Sequence, residues 1–262
     1  MIPISEIRAW NNVVSWISDE QVEQDLVICR SLVEIYSDEL LAENLVFRGG
    51  TAIHKLFLNP PSRYSEDIDL VQKNSGPIKE VISRLRNALS FISEPVIKQK
   101  AHNNTLLFRF NSENVVPVPL RLKVEINCRE HFAVLGYKDL SFSVNTKWYN
   151  GQANIQTYEL EELLGTKLRA LYQRKKGRDL YDLYKAFITA KPDPDKIIVC
   201  FHKYMDFVTG RSPTKKQFLK NMDEKINSED FIKDTYFILK PTADYNPHLA
   251  YELIRKELLE RL

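Results

Sequence analysis

The chain has 262 residues, 44% of them hydrophobic, enough to bury the core of one large domain or two small ones. Its 37 Lys and Arg against 35 Asp and Glu leave a formal charge of +2, which excludes the broadly basic surface of a general nucleic-acid binder, so any basic patch is local. Cys29, Cys128 and Cys200 are an odd number set far apart, which excludes a disulfide framework or a clustered zinc site and leads us to expect reduced thiols.

Residues Met1 to Glu6 show no basic segment leading into an apolar one, and apolar runs such as Ile197 to Phe201 are too short to span a bilayer; a cytoplasmic protein is expected. From Trp10 to about Leu41 apolar residues recur at helical spacing, with Ser18-Asp19 as a cap between two helices, so residues 1–44 read as a helical lead-in. Leu45-Val46-Phe47 reads as a short buried strand and Gly49-Gly50-Thr51 as a strand-to-helix turn. Ala52 to Leu58 reads as a helix that stops before Asn59-Pro60-Pro61. The next strand carries Ile68, Leu70 and Val71. Helical periodicity follows over Pro77 to about Phe91, then strands over Thr105 to Phe110 and Leu120 to Cys128. The segment Asn145 to Asn154 is the best boundary, since everything after it reads as helical. The expected architecture is an α/β core at 45–150, a mixed β-sheet with flanking helices, followed by an all-helical C-terminal domain at 151–262.

In a strand, residues two apart share a face, so Asp67 and Asp69 point one way while Ile68 and Leu70 point into the core. Two like charges that close repel unless a cation compensates, which makes the pair a natural site for Mg²⁺ or Mn²⁺; the plain alternative is a solvated strand face. From Leu120 to Arg129 apolar and polar residues alternate, which places Glu125 on the polar face of what should be a neighbouring strand. Three carboxylates holding metal could clamp an NTP, activating an acceptor hydroxyl and neutralising the leaving pyrophosphate. Upstream, Gly49 and Gly50 would let backbone approach a phosphate at a helix N-terminus, or simply make a tight turn with Thr51 as N-cap. The Ser65 hydroxyl, on the same face as Asp67, could reach phosphate or metal.

The strings Phe47-Arg48-Gly49-Gly50-Thr51-Ala52-Ile53-His54-Lys55 and Arg63-Tyr64-Ser65-Glu66-Asp67-Ile68-Asp69-Leu70 are followed by Lys167-Leu168-Arg169-Ala170-Leu171 and Arg178-Asp179-Leu180-Tyr181-Asp182-Leu183. Together, over about Leu45 to Tyr184, they resemble the AbiEii/AbiGii nucleotidyltransferase toxin family. That resemblance implies a DNA polymerase β-like nucleotidyltransferase fold and a toxin of a bacterial toxin–antitoxin or phage-defence pair, with a cognate antitoxin as partner. It also implies transfer of nucleotides from an NTP to an acceptor, the 3′ end of tRNA in characterised relatives. The wider superfamily has Gly-Ser and a shorter gap before its carboxylates, where this chain has Gly-Gly-Thr and the added loop Asn59 to Tyr64.

In the helical half, Leu160, Leu163, Leu164, Leu168 and Leu171 make an apolar stripe, and Lys167 falls near its centre. An inward lysine needs an anionic partner, a carboxylate or the bound triphosphate, unless it snorkels past the leucines. Arg169, on the opposite face, should meet solvent. Between Gly165 and Lys185 lie seven basic residues against Asp179 and Asp182, a local excess of five positive charges suited to the phosphates of NTP or RNA. Gly177 should end one helix, which puts Asp179 in the first turn of the next, where the dipole favours an acid whatever its role; the family pattern alone makes Asp179 a site candidate and Asp182 a weaker one. The expected roles are metal binding by Asp67, Asp69 and Glu125, with Glu125 assisting or acting as base, and triphosphate binding by Lys167. Rival readings are transfer to a small molecule, as in aminoglycoside nucleotidyltransferases, and a catalytically silent nucleotide- or RNA-binding module.

Overall fold

The computed structural model describes residues 2–58, 60–100 and 102–262; Asn59, at the head of the loop expected after the first short helix, lies outside them. The two helices expected in the lead-in form, α1 (Ile4–Val14) and α2 (Asp19–Ser37), the second capped by the Ser18 side chain accepting from the Gln21 amide; a third, α3 (Glu39–Asn44), which the spacing does not predict, follows behind an Asp38 cap. β1 (Leu45–Arg48) buries Leu45, Val46 and Phe47 completely and runs into α4 (Gly49–Ala52) and a π-helical turn (Ile53–Phe57). β2 (Asp67–Gln72) and α5 (Lys79–Ala88) follow. Next come β3 (Val96–Lys100), β4 (Asn103–Asn111), β5 (Pro119–Asn127), β6 (Tyr137–Asn145) and β7 (Asn150–Tyr158).

The seven strands form one mixed sheet in the order β3-β4-β5-β2-β1-β7-β6. β2 runs parallel to β5 and β1 parallel to β7, while the remaining neighbours are antiparallel. Alternation sorts the faces: Leu122, Val124 and Ile126 of β5 and Ile68 and Leu70 of β2 are buried, while Lys123, Glu125, Asp67 and Asp69 look the other way.

The sheet does not stop at residue 150. β7 pairs with β1 through Phe47 and Thr157, and the Thr157 hydroxyl donates to the Phe47 carbonyl at 2.7 Å. Its outward residues Gln152, Asn154 and Gln156 alternate with Ala153 and Ile155, a strand pattern too weakly apolar to stand out in the sequence. The edge strands β3 and β6 were likewise not foreseen, because most of their side chains are exposed or only half-buried.

From Leu160 onward the described residues are helical, with connecting turns: α6 (Leu160–Gln173), α7 (Gly177–Ala190), α8 (Pro194–Thr209), α9 (Lys215–Ile226), α10 (Glu229–Lys233) and α11 (Pro247–Glu257). They do not form a separate body around a core of their own: one hydrophobic cluster runs from Leu26 and Phe47 through Leu164 and Leu168 to Phe218 and Ile254. Gly177 opens α7 rather than closing α6, whose cap is Arg174. A Cβ at Gly177 would stand 2.0 Å from the Phe231 carbonyl oxygen, so this glycine serves close packing against α10. No helix among the described residues is long and apolar enough to cross a membrane.

Candidate active site

The parallel register of β2 and β5 sets Asp67 beside Lys123 and Asp69 beside Glu125, and the antiparallel register of β1 sets Arg48 beside Asp69. One row across three strands therefore reads Arg48, Asp69, Glu125, and it floors a cavity of about 360 Å³. Burial, together with the charges of Asp67 and Glu125, raises the Asp69 pKa above the usual carboxylate range. Burial alone would also raise Glu125, but hydrogen bonds from Asn103 and Lys123 outweigh it and hold Glu125 ionised.

Gly49 has φ +84°, and a Cβ there would lie 2.1 Å from an Asp69 carboxylate oxygen. A side chain at Gly50 would lie 2.2 Å from Arg63 Nη2. Gly49 thus brings backbone against the Asp69 carboxylate and Gly50 brings it against the Arg63 guanidinium, approaches that a side chain at either position would block. Thr51 is not an N-cap: that position belongs to Arg48, and the Thr51 hydroxyl donates to the Asp67 carbonyl at 2.6 Å, tying the turn to the strand. Ser65 lies just before β2, lines the cavity and accepts from Arg63 Nη1 at 3.1 Å.

The opposite wall comes from α6 and the α6–α7 junction, where Lys167, Arg169, Arg174, Lys176 and Arg178 line the cavity. Each is held from behind by an acid. Lys167 Nζ lies 3.0 Å from both Asp179 and Asp182, so the carboxylate alternative for its partner is realised in this structure. Arg174 grips Asp179 through two nitrogens at 2.7 and 2.8 Å. Asp234 holds Arg178 and Lys176, and Glu130 holds Arg169 together with Arg48. Arg169 does not meet solvent as expected: a helical wheel gives only the face opposite the leucines, and here Glu130, in the turn after β5, lies against that face and pairs with the guanidinium. Asp179 itself is fully buried behind the cations and does not line the cavity.

Asp182 emerges as the hub. It is completely buried, accepting from Arg63 Nε at 2.6 Å and Nη2 at 2.9 Å and from His54 Nε2 at 2.8 Å, and pairing with the Lys167 ammonium. Burial opposes its charge, but Arg63 and Lys167 prevail and hold it well below the usual range. The spacing of His54 to the other histidines suggests no ligand set and gives it only an ordinary role, and Arg63 carries no local signal, although both sit inside the strings that carry the resemblance.

Burial and the neighbouring Arg63 charge push the His54 pKa down to about 4, so the ring is neutral, its Nε2–H donating to Asp182 while Nδ1 accepts from Ser62. An unfolded chain takes up that proton below about pH 6.5. The unfolded state is then favoured as pH falls from about 6.5 to about 4, on the order of 3 kcal/mol for this group. Urea midpoints should drop over that range in the parent and stay flatter in His54→Gln; equal slopes would assign the loss to other groups.

Among the described residues no three acidic, histidine or cysteine side chains converge tightly enough to hold a metal ion as they stand. The donor set is nevertheless of the right kind: carboxylate oxygens from Asp67, Asp69 and Glu125 on one face of adjacent strands, with the Asp69 pKa raised by burial and then by its neighbours' charges. Lys123 Nζ stands between two of them, 3.1 Å from Asp67 and 3.0 Å from Glu125, a cation where the like charges require one.

Compared with known proteins, the chain resembles MenT4, a nucleotidyltransferase toxin from Mycobacterium tuberculosis, at 19% identity over 100% of this chain and 91% of that one, with a TM-score of 0.72. It also resembles JHP933 from Helicobacter pylori at 19% identity over 93% of this chain and 95% of that one, with a TM-score of 0.57. No curated protein matches its sequence. The family model described as nucleotidyl transferase AbiEii toxin, type IV toxin–antitoxin system, matches residues 30–252, spanning the carboxylate floor and the cationic wall, and the chain belongs to that family.

Proposed function

We propose that this cleft binds an NTP with Mg²⁺ or Mn²⁺ and transfers its nucleotidyl group to the 3′ end of an RNA, with tRNA as the acceptor. One observation carries the reading: a floor of Asp67, Asp69 and Glu125 faces a wall of cations already fixed in place by buried acids. Three carboxylates beside a polyphosphate repel it unless a divalent ion intervenes, which favours a metal-assisted reaction over a silent binding module. Asp67 and Asp69, with Glu125, would hold the ion, which supplies charge neutralisation at the reacting phosphate and the leaving pyrophosphate.

The acceptor's 3′ oxygen forms the new bond to the α-phosphorus, the bond to the pyrophosphate oxygen breaks, and Glu125, held ionised, takes the hydroxyl proton. Lys167 has three N–H donors; with two engaged by Asp179 and Asp182, the third is free for the triphosphate. Gly49 and Gly50 admit the phosphates at the backbone, Ser65 lies within the same cavity, and the Thr51 hydroxyl serves the strand. Such a reaction belongs in the cytoplasm, where a cognate antitoxin opposes it and phage defence is its setting. The helices after Tyr158 act as the unit that closes the nucleotide side.

Incubation with each labelled NTP and a mixture of tRNA, total protein and an aminoglycoside tests the acceptor class. Label on tRNA is expected; label on the aminoglycoside would redirect the reading, and no label anywhere would leave a binding module. The metal assignment has a separate readout. Lys123→Met removes the ammonium that competes for Asp67 and Glu125, so calorimetric titration should show Mn²⁺ binding tightened by about fivefold to tenfold. An unchanged affinity would mean that the ion does not use those two carboxylates together.

A further inference from the structure

We infer that Tyr236 and Phe237 form a stacking platform for unpaired bases of a nucleic-acid strand entering the cleft. The inference rests on the RNA-acceptor reading and adds where the acceptor lies. The two rings are 58% and 78% exposed, unusual for adjacent aromatic residues. The turn that presents them is pinned on every side. Before it, Asp234 accepts from Arg178 and pairs with Lys176; within it, Thr235 is buried and the Phe237 carbonyl accepts from Gln21 Nε2 at 2.8 Å. After it, the Ile238 carbonyl accepts from the Tyr64 amide at 2.7 Å, and Leu239 bridges Arg63. The backbone is held while the rings stand in solvent, so ordering them costs little when a base stacks.

Their position gives them an occupant. Lys176 and Arg178 line the nucleotide cleft, whereas Gln21 and Tyr64 line a second groove over β4 and β5. Cleft and groove meet at Glu66, Asp67 and Lys123, and the turn is attached to both. The groove carries Arg109 and Arg121 side by side on β4 and β5, and Lys98 on β3 in the row of Thr105 and Glu125, so its cations reach to the carboxylates. Lys240 lies just past the turn, its ammonium 5.3 Å from the Trp16 ring. Exposed aromatic faces on a turn joined to both the cleft and the cation-bearing groove fit a single strand whose backbone follows the charges and whose bases stack. A duplex keeps its bases paired and offers the rings only its end.

The test is anisotropy of a fluorescein-labelled single-stranded oligoribonucleotide, with a blunt-ended RNA duplex as control. Tyr236→Ala with Phe237→Ala should weaken the single strand about tenfold or more, leave the duplex unchanged, and keep the melting shift produced by Mg²⁺ and NTP. Tyr236→Phe with Phe237→Tyr should restore the affinity. The platform is overturned if the parent does not bind the single strand, if the alanine variant binds it equally well, or if single strand and duplex weaken alike. A change in oligomeric state with unchanged RNA affinity would also overturn it, marking the rings as a protein contact. A parent that bound the strand through these rings yet moved no label onto RNA would support the platform and defeat the transfer reading instead.

Discussion

Asp69→Asn abolishes nucleotidyl transfer and leaves the protein at least as stable as its parent. Asp69 lies in the row between Arg48 and Glu125, and burial with two neighbouring carboxylates raises its pKa. A neutral amide of the same size relieves that repulsion, so the thermal midpoint should hold or rise. The same change removes a charge from the carboxylate set proposed to hold a divalent ion. Loss of several kcal/mol of charge stabilisation in the transition state corresponds to about a thousandfold in rate. Asp67→Asn should act in the same direction, and both variants should lose toxicity on expression. The assignment is falsified if either variant transfers nucleotide at the parent rate with Mg²⁺; a collapsed midpoint would instead make Asp69 a structural residue.

Asp182→Ala should be the most destabilising single change in the site region. It strands the buried Arg63, leaves the buried Lys167 with Asp179 alone, and removes the acceptor of the His54 Nε2–H. Breaking a buried ion pair by deleting one partner costs about 3–5 kcal/mol, a large share of the roughly 5–15 kcal/mol that holds an ordinary domain together. Lys167→Met is the informative contrast. It leaves Asp182 with Arg63 and Asp179 with Arg174, so neither carboxylate is orphaned, and the cost should stay nearer the 1.5–3 kcal/mol expected, approximately, of a charged hydrogen bond. Denaturant melts order the two variants, and a Lys167→Met loss as large as that of Asp182→Ala would show that the network has no redundancy. The same melts with Mg²⁺ and NTP separate the second role of Lys167: a normal midpoint shift in the Met variant would mean that its third donor does not reach the triphosphate.

The carboxylate floor was legible because strand alternation is a local property: Asp67, Asp69 and Glu125 could be placed on polar faces from neighbours within a few residues. Their juxtaposition needed only that two strands lie side by side, which they do, in parallel register. Lys123 had the same parity as Glu125 and could have been read as its companion on that face. The Asp182 hub was not legible, since its partners come from His54, Arg63 and Lys167, and no periodicity links positions so far apart in the chain. Lys167 was correctly turned inward by its leucine stripe, but a helical wheel names a face and not what covers it, which is also why Arg169 was misplaced. β7 escaped because glutamine and asparagine occupy its outward positions, and with it the end of the sheet was set eight residues too early.

The shared core has a genetic consequence. With sheet and helices closed over one cluster of side chains, and the cationic wall locked to the strand side through Arg63 and Asp182, lesions far from the chemistry disable the whole protein. Survivors selected after expression without the antitoxin should therefore carry substitutions scattered from α2 to α11, with frameshifts in the last quarter of the gene as disarming as a change at the carboxylates themselves.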